Sequence, residues 1–348
     1  MAFEVFEENL DEARDEALAM LDATRRDASP KRRYDWLYRD NPDGEAVLWA
    51  IRKAETGEMA GFTVALPRRM LVDGRPRVCW NGADFSIRQE FRTLGVAIKL
   101  RRAAKEGVDA GRVDFLYAHP NAKMQLIHEK VGHSPVGTMV RYAKPLRTGK
   151  HWKGRLKGTW LPAVAGKLTD VALHVRSPEW RHRPTFSTRL VESPVFDGRF
   201  DRLFERAEAT RRVLGVRDSR YLDWRYARNP LYRTHAILAE DGEQLAGYLL
   251  FTRGQAMVHV KDVLVAGGRA AQRDLIAALI RLSRKTRSAS ISAAVLEGHP
   301  LEGTLTRFGF ARRPDCSQMF GYAPMESPLR EVVLDRSSWM VSVGDRDV

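Results

Sequence analysis

One eight-residue pattern occurs twice in this chain, 188 positions apart, and it constrains the architecture before composition enters the argument. Asp35-Trp36-Leu37-Tyr38-Arg39-Asp40-Asn41-Pro42 returns as Asp223-Trp224-Arg225-Tyr226-Ala227-Arg228-Asn229-Pro230, a shared D-W-x-Y-x-x-N-P. Ala60-Gly61-Phe62 then matches Ala246-Gly247-Tyr248, His119-Pro120 matches His299-Pro300, and Gly132-His133 matches Gly309-Phe310, at offsets that shrink to 177. Ordered matches with a slowly drifting offset are the mark of a duplication with short loop deletions. The period is of domain size, so the 348 residues read as two tandem domains and not as a solenoid.

Each copy carries the same order of elements. A helical pattern (Leu10, Ala13, Ala17, Leu18, Leu21; later Phe200, Leu203, Phe204) precedes the repeated motif, whose Asn-Pro turns the chain. In the first copy, strands are expected at Val47–Arg52, Gly61–Leu66 and Val78–Ile87, with turns at Glu55-Thr56-Gly57 and Asp73-Gly74. A helix from Leu94 to Glu106, a strand Val113–Ala118, a short helix Ala122–Lys130 ending at Gly132, and a strand near Val136–Tyr142 follow. This order predicts an α/β (α+β) fold, each half a mixed, mostly antiparallel sheet flanked by helices. The expected boundaries are 1–146 for the first domain, 147–192 for a basic linker with a helix from Trp160, 193–328 for the second domain and 329–348 for a tail.

Charge placement narrows the function classes. The net charge is +14, but eleven Lys/Arg against Asp170 and Glu179 fall between Lys144 and Leu190. A binder of nucleic acid would spread its positive charge more widely, so no specific nucleic-acid partner is expected. The linker, with Lys153, Arg155 and Lys157 ahead of its helix, offers a weak contact for an anionic membrane surface; a solvated flank beside a docked helix is the favoured alternative. Two cysteines, Cys79 and Cys316, have neither disulfide nor metal spacing, and no apolar run reaches membrane length; with the acidic start Glu4 to Glu16, a cytoplasmic location without a metal is expected.

The stretch Arg88-Gln89-Glu90-Phe91-Arg92-Thr93-Leu94-Gly95-Val96-Ala97 carries the chemistry, because it follows a strand and opens a helix. Free main-chain N–H groups backed by a helix dipole hold a diphosphate, and Gly95 and Ala97 keep the approach open. Arg92-x-x-Gly95-x-Ala97 resembles the Q/R-x-x-G-x-G/A loop of the GCN5-related (GNAT) N-acetyltransferase superfamily. Asn121, Met124, His128, Gly132 and His133 resemble that family's N-x-x-A-x-x-x-Y-x-x-x-G-F, with His128 for its tyrosine and His133 for its phenylalanine. The W-x-Y-x-x-N-P element and Pro120-Asn121 are similar to a bacterial tandem-domain subgroup. The resemblance covers about residues 7–143 well and 195–325 weakly. It implies acetyl-CoA or another acyl-CoA as cofactor, bound by Phe85, Ile87, Gln89, Arg92, Thr93, Leu94, Gly95, Val96, Ala97 and Asn121. It also implies direct attack, in a ternary complex, by a primary amine of a small molecule, an amino sugar or a peptide.

Period two places Trp80, Gly82, Asp84 and Ser86 on one strand face and Cys79, Ala83, Phe85 and Ile87 on the other. With the apolar set inward, Asp84 faces the cleft as a candidate base; an Arg-paired strand carboxylate is the equal alternative. His128 is the candidate acid and Tyr117 a candidate donor to the thiolate, against solvent-facing or structural readings. Trp36, Tyr38 and the His-Pro turn recur in the second copy, which lacks the loop because Gln272 stands where a small residue is required; their roles are read as packing. Lys99, Arg101, Arg102 and Lys105 read as a solvated helix face with one possible contact to the CoA 3′-phosphate. Two further readings stay open. One is a Fem-type aminoacyl-tRNA-dependent transferase; the other is a catalytically degenerate pair acting as scaffold or binding module.

Overall fold

The computed structural model describes residues 2–24, 30–148, 161–175, 177–207 and 211–346. Lys150, Lys153, Arg155, Lys157, Trp160 and Arg176 of the basic segment lie outside the described residues. The first half comprises β1 (Phe3–Glu8), α1 (Arg14–Thr24), α2 (Pro30–Tyr34), a π-helical turn Asp35–Arg39, β2 (Val47–Lys53), β3 (Met59–Val72), β4 (Arg75–Ile87), α3 (Leu94–Asp109), β5 (Leu116–Ala118), α4 (Ala122–Lys130) and β6 (Ser134–Pro145). After α5 (Leu161–Val175), the second half runs β7 (Ser187–Val191), α6 (Gly198–Ala207), β8 (Val213–Gly215), α7 (Ser219–Leu222), a second π-helical turn Asp223–Ala227, β9 (His235–Asp241), β10 (Gln244–Arg253) and β11 (Met257–Val265). It continues through α8 (Gly268–Lys285), β12 (Ser290–Leu296), α9 (Glu302–Arg307) and β13 (Ala311–Tyr322), and closes with α10 (Arg330–Leu334) and β14 (Trp339–Met340).

All fourteen strands belong to one sheet, with the path β1-β2-β3-β4-β5-β13-β6-β12-β11-β10-β9-β7. The halves are interlocked by reciprocal strand exchange. β13, the last strand of the second copy, lies beside β5 of the first (Phe320↔Ala118, Tyr322↔Leu116). β6, the last strand of the first copy, lies beside β12 of the second (Val295↔Val140). The two exchanged strands pair with each other antiparallel at the centre. Backbone hydrogen bonds of each half are therefore completed by the other, which a sequence boundary near 146 cannot express.

The repeated motif sits at the pseudo-twofold axis. Trp36 Nε1 donates to the Trp224 carbonyl at 2.9 Å and Trp224 Nε1 donates to the Trp36 carbonyl at 2.8 Å, with ring centroids 5.3 Å apart. This is the self-complementary contact that two-fold symmetry generates. Indole N–H groups need a partner when buried, and each copy supplies the other's. Both tryptophans pack as the sequence reading expects.

Three segments depart from that reading. Residues 3–8, read only as an acidic start, form β1, whose Phe3 and Val5 pack against the α3 side of the sheet. Ser187–Val191, placed in the linker, is the edge strand beside β9 and thus the counterpart of β1 beside β2. The segment read as a tail is buried: Trp339 is 2% exposed and pairs with Val213 of β8, which itself pairs with β3. Within α5, Val164, Val171 and Val175 are exposed. Among the described residues no helix is long and apolar enough to cross a membrane.

Candidate functional site

The site begins where two parallel strands part. β4 and β5 pair at Trp80↔Leu116, Asn81↔Tyr117 and Gly82↔Ala118, where β5 ends. Just beyond, β4 carries a bulge against β3: Thr63 pairs with Phe85 and Val64 with Ala83, leaving Asp84 as the extra residue. The strand edge from residue 83 onward thus faces an open fork instead of β5. Along its other edge β4 stays paired with β3 up to Gly61↔Ile87.

The bulge also reverses the expected facing. Two consecutive residues at a bulge point the same way, so parity changes there. Trp80 and Gly82 share the α3 side with Phe85 and Ile87, while Ala83 and Asp84 share the α1/α2 side. Asp84 therefore does not front the cleft. It is 3% exposed, accepts from Arg33 Nη1 at 2.5 Å and from the Tyr38 hydroxyl at 2.6 Å, and is the Arg-paired strand carboxylate of the alternative reading. In the second half a buried carboxylate of β11, Asp262, is likewise held by an arginine and a tyrosine, Arg217 Nε and the Tyr248 hydroxyl, both at 2.9 Å, although that tyrosine is not the counterpart of Tyr38.

Tyr117 lies on the side away from α3, fully buried against Phe115 and Trp339, with its hydroxyl donating to the Asp345 carbonyl at 2.8 Å. Burial pushes its phenol well above the ordinary value. Asp84 and Tyr117 are thus both engaged within the protein, and the structure does not bring them together with His128.

The turn after β4 is open. Gln89–Phe91 form a single 3₁₀ turn, and Arg92 Nε donates to the Ile87 carbonyl at 2.8 Å, tying the turn to the strand end. Thr93 caps α3, its hydroxyl accepting from Val96 N. Leu94 and Gly95, the first two helical residues, are exposed, and first-turn amides have no partner inside a helix. No atom lies within 4 Å of where a Gly95 side chain would begin. Val96 and Ala97 instead point inward and, with Leu100, Ala104 and Val108 of the same helix, join the cluster that holds Trp49, Ile51 and Trp80 of the sheet. Asn121 caps α4, its Oδ1 accepting from Lys123 N and Met124 N, which leaves Nδ2 for a ligand.

In the second half the corresponding turn is covered. A side chain at Gly267 would meet the Phe186 ring at 3.0 Å, and Asp274 of α8 accepts from Thr185 N and Phe186 N at 2.9 and 2.8 Å. Gln272 is buried and bonded to Thr304. Residues 182–186 thus lie over the start of α8, a covering with no local signal in the chain.

Two residues at the fork escaped the sequence reading of their roles. Arg101, read as part of a solvated helix face, is 2% exposed; it crosses from α3 over Gly82 and donates to Thr63 Oγ1 at 3.1 Å. Any Cβ at position 82 would overlap Arg101 Nη2, at 2.0 Å, so the glycine makes room for the cation. His133 is buried and lies 2.9 Å from His128, Nδ1 to Nδ1. His128 packs on Phe320, whose strand partner is Ala118, so His128, Arg101 and the last paired residues of the fork converge.

Burial is the leading cause of depressed histidine pKa values throughout: His128 and His133 lie well below 6.5, His119 and His299 fall to about 3, and His235 and His259 are also lowered. The unfolded chain regains the ordinary value of about 6.5, so below that pH it binds more protons than the folded one. Stability is therefore present above about pH 6.5 and falls as pH drops toward 3, by about 1 kcal/mol per pH unit for each fully buried imidazole. Calorimetric melting between pH 7.5 and about 5 should show a steep fall, and His299→Gln should flatten it. A flat profile in the parent chain would contradict the burial of these rings.

No protein-family model matches the sequence, and no curated protein matches it. Solved structures do match. A GCN5-related N-acetyltransferase from Anabaena variabilis superposes with a TM-score of 0.67 at 12% identity, over 92% of this chain and 73% of that one. A conserved protein of Enterococcus faecalis described as a probable N-acyltransferase gives 0.64 at 11% identity, over 93% and 73%. Saccharomyces cerevisiae N-myristoyltransferase with bound myristoyl-CoA gives 0.59 at 12% identity, over 94% and 80%. The interlocked sheet, the fork and the open turn are thus set in the fold that GCN5-related N-acetyltransferases share with N-myristoyltransferase, and this chain has that fold over nearly its whole length.

Proposed function

We propose that the protein transfers an acyl group from an acyl-CoA, with acetyl-CoA the first donor to test, to a primary amine of a small molecule, an amino sugar or a peptide. The observation that carries this reading is the contrast between the halves: the turn before α3 is open and adjoins a strand fork, while its counterpart before α8 is covered. In this reading the Leu94 and Gly95 amides, at the positive end of α3, receive the diphosphate. The β4 edge from Phe85 to Gln89 pairs with the pantetheine amides, and the Asn121 amide meets the same arm. The fork around Gly82, Arg101 and His128 receives the thioester. Holding the thioester beside a bound amine makes attack effectively unimolecular, which is where most of the acceleration arises. The thioester C–S bond breaks as the amine nitrogen forms the amide bond; the sulfur leaves as the CoA thiolate, and the proton that the nitrogen loses passes to water.

Titration calorimetry with acetyl-CoA tests this. The parent chain should bind, and Gly95→Glu should weaken binding at least about 100-fold, because it sets a carboxylate against the diphosphate. Since the space at Gly95 is empty, the melting temperature should hold. Equal affinity in both proteins would remove the diphosphate from this turn.

A further inference from the structure

Both copies end their short helix in the same way, and only one of them fills the motif with polar groups. In the first half, Gly132 (φ 89°) follows α4, its N–H bonded to the Glu129 carbonyl and the His133 N–H to the His128 carbonyl, each at 3.0 Å. In the second half, Gly309 (φ 79°) follows α9, with Gly309 N–H bonded to Thr306 O and Phe310 N–H to Leu305 O, again at 3.0 Å. This is a Schellman ending, which folds the residue after the glycine back onto the residue three places before the cap and normally joins the two by an apolar contact. The second half obeys: Leu305 and Phe310 are 0% and 4% exposed within one apolar cluster. The first half has His128 and His133 there, equally buried at 3% each. The duplicate shows that the ending folds without histidines. Burying two imidazoles, bonded to each other but with His133 Nε2 left without a partner, costs more than burying the apolar pair, so folding alone does not call for histidines here.

The protonation pattern follows from the surroundings. His133 stacks on Tyr322 of β13, with centroids 5.5 Å apart. Tyr322 is hydrogen-bonded to Asp109, and Lys105 lies over the Tyr322 ring and bonds Asp109. Burial first, and then the positive charges of Arg101 on both rings and of Lys105 on His133, keep both histidines neutral. His133 Nε2 is buried without a hydrogen-bond partner. A bare lone pair near two cations is cheaper to bury there than an orphaned N–H. His133 therefore keeps its hydrogen on Nδ1 and donates it to His128 Nδ1, which forces the His128 hydrogen onto Nε2.

We propose that His133 is a positioning residue that fixes His128 as a neutral Nε2–H donor, which with Arg101 stabilises the thiolate sulfur of CoA at the fork. This rests on the acyl-CoA reading above. His128 is then a hydrogen-bond donor and not a proton-transferring acid: the hydrogen stays on Nε2, and Arg101 supplies the positive charge. A neutral imidazole used as an electrophile is an established way to polarise a reacting centre.

The test uses the full chain, CoA as ligand and desulfo-CoA as blank, reading thiolate ultraviolet absorbance of the bound complex against pH. In the parent protein the bound thiol should ionise about one pH unit below the ordinary value of about 8.5. In His133→Phe, which installs the residue the duplicate carries, CoA should still bind and the melting temperature should hold or rise, while ionisation returns toward the ordinary value. The same thiol pKa in both proteins, or an additional step near pH 6.5 from a titrating histidine, overturns the proposal. Nitrogen-15 spectra of histidine-labelled parent protein give a second reading free of any variant: a His128 hydrogen on Nδ1 overturns it. If CoA binds to neither protein, the acyl-CoA reading fails and takes this proposal with it, a result distinct from binding with an unshifted thiol.

Discussion

Asp84→Ala is expected to destabilise the protein by about 3–5 kcal/mol, enough to unfold much of it near body temperature. The carboxylate is buried beside an Arg33 guanidinium of 1% side-chain exposure and also accepts from the Tyr38 hydroxyl. Removing one member of a buried ion pair leaves the other charge in a low dielectric, which costs far more than the pair itself contributes. Denaturant titration of Asp84→Ala, Tyr38→Phe and the double variant Arg33→Met/Asp84→Leu separates the cases. Tyr38→Phe should cost about 1.5–3 kcal/mol for its lost bond to a charged group. The apolar double variant should recover most of the loss, because a well-packed apolar pair replaces a buried ion pair at little cost. If Asp84 were instead the base that strand periodicity suggests, Asp84→Asn would abolish acyl transfer while the denaturation midpoint stayed in place.

Why periodicity misplaced Asp84 is a physical matter. Alternation along a strand is a local rule, and one inserted residue cancels it downstream. The bulge between Ala83 and Phe85 is set by how β4 registers on β3 and by its departure from β5, neither of which is written in residues 78–87. Features with a local cause were legible: the start of α3 at Leu94, the start of α4 at Ala122 and its end at Gly132 each follow from one turn of chain. The repeat made Trp36 and Trp224 readable as packing, because a catalytic residue need not recur in a copy whose loop is lost. Arg101 was misread because it reaches burial across Gly82, nineteen positions earlier in the chain, and only the folded sheet brings the two together. Strand exchange was equally hidden, since β6 and β13 suit a partner in either half and the choice is tertiary.

The residues after 328 read as a tail for the same reason, and deleting them is expected to prevent folding. Val332, Val333, Trp339, Met340 and Val341 are each at most 5% exposed. At about 1.5–3 kcal/mol for each buried side chain, their loss forfeits roughly 8–15 kcal/mol, as much as the whole stability of a typical domain. Polar anchors go with them. Asp345 accepts from Arg217 Nη2 at 2.6 Å and lies 3.7 Å from Arg68, so one carboxylate neutralises buried arginines from both halves. Its carbonyl receives the Tyr117 hydroxyl, and the Arg346 carbonyl receives Arg225 Nη2 at 2.7 Å. A chain ending at 328 should therefore appear in inclusion bodies or lack a cooperative melt by circular dichroism. Trp339→Ala should fold but lose about 3–5 kcal/mol, the usual cost of emptying a buried indole site. Asp345→Ala should also destabilise, because it leaves Arg217 with Asp262 and Arg68 with Asp43 as their remaining carboxylate partners in a buried network. A truncated chain melting cooperatively at the parent temperature would mean that the interlock of β6 with β13 alone holds the halves together.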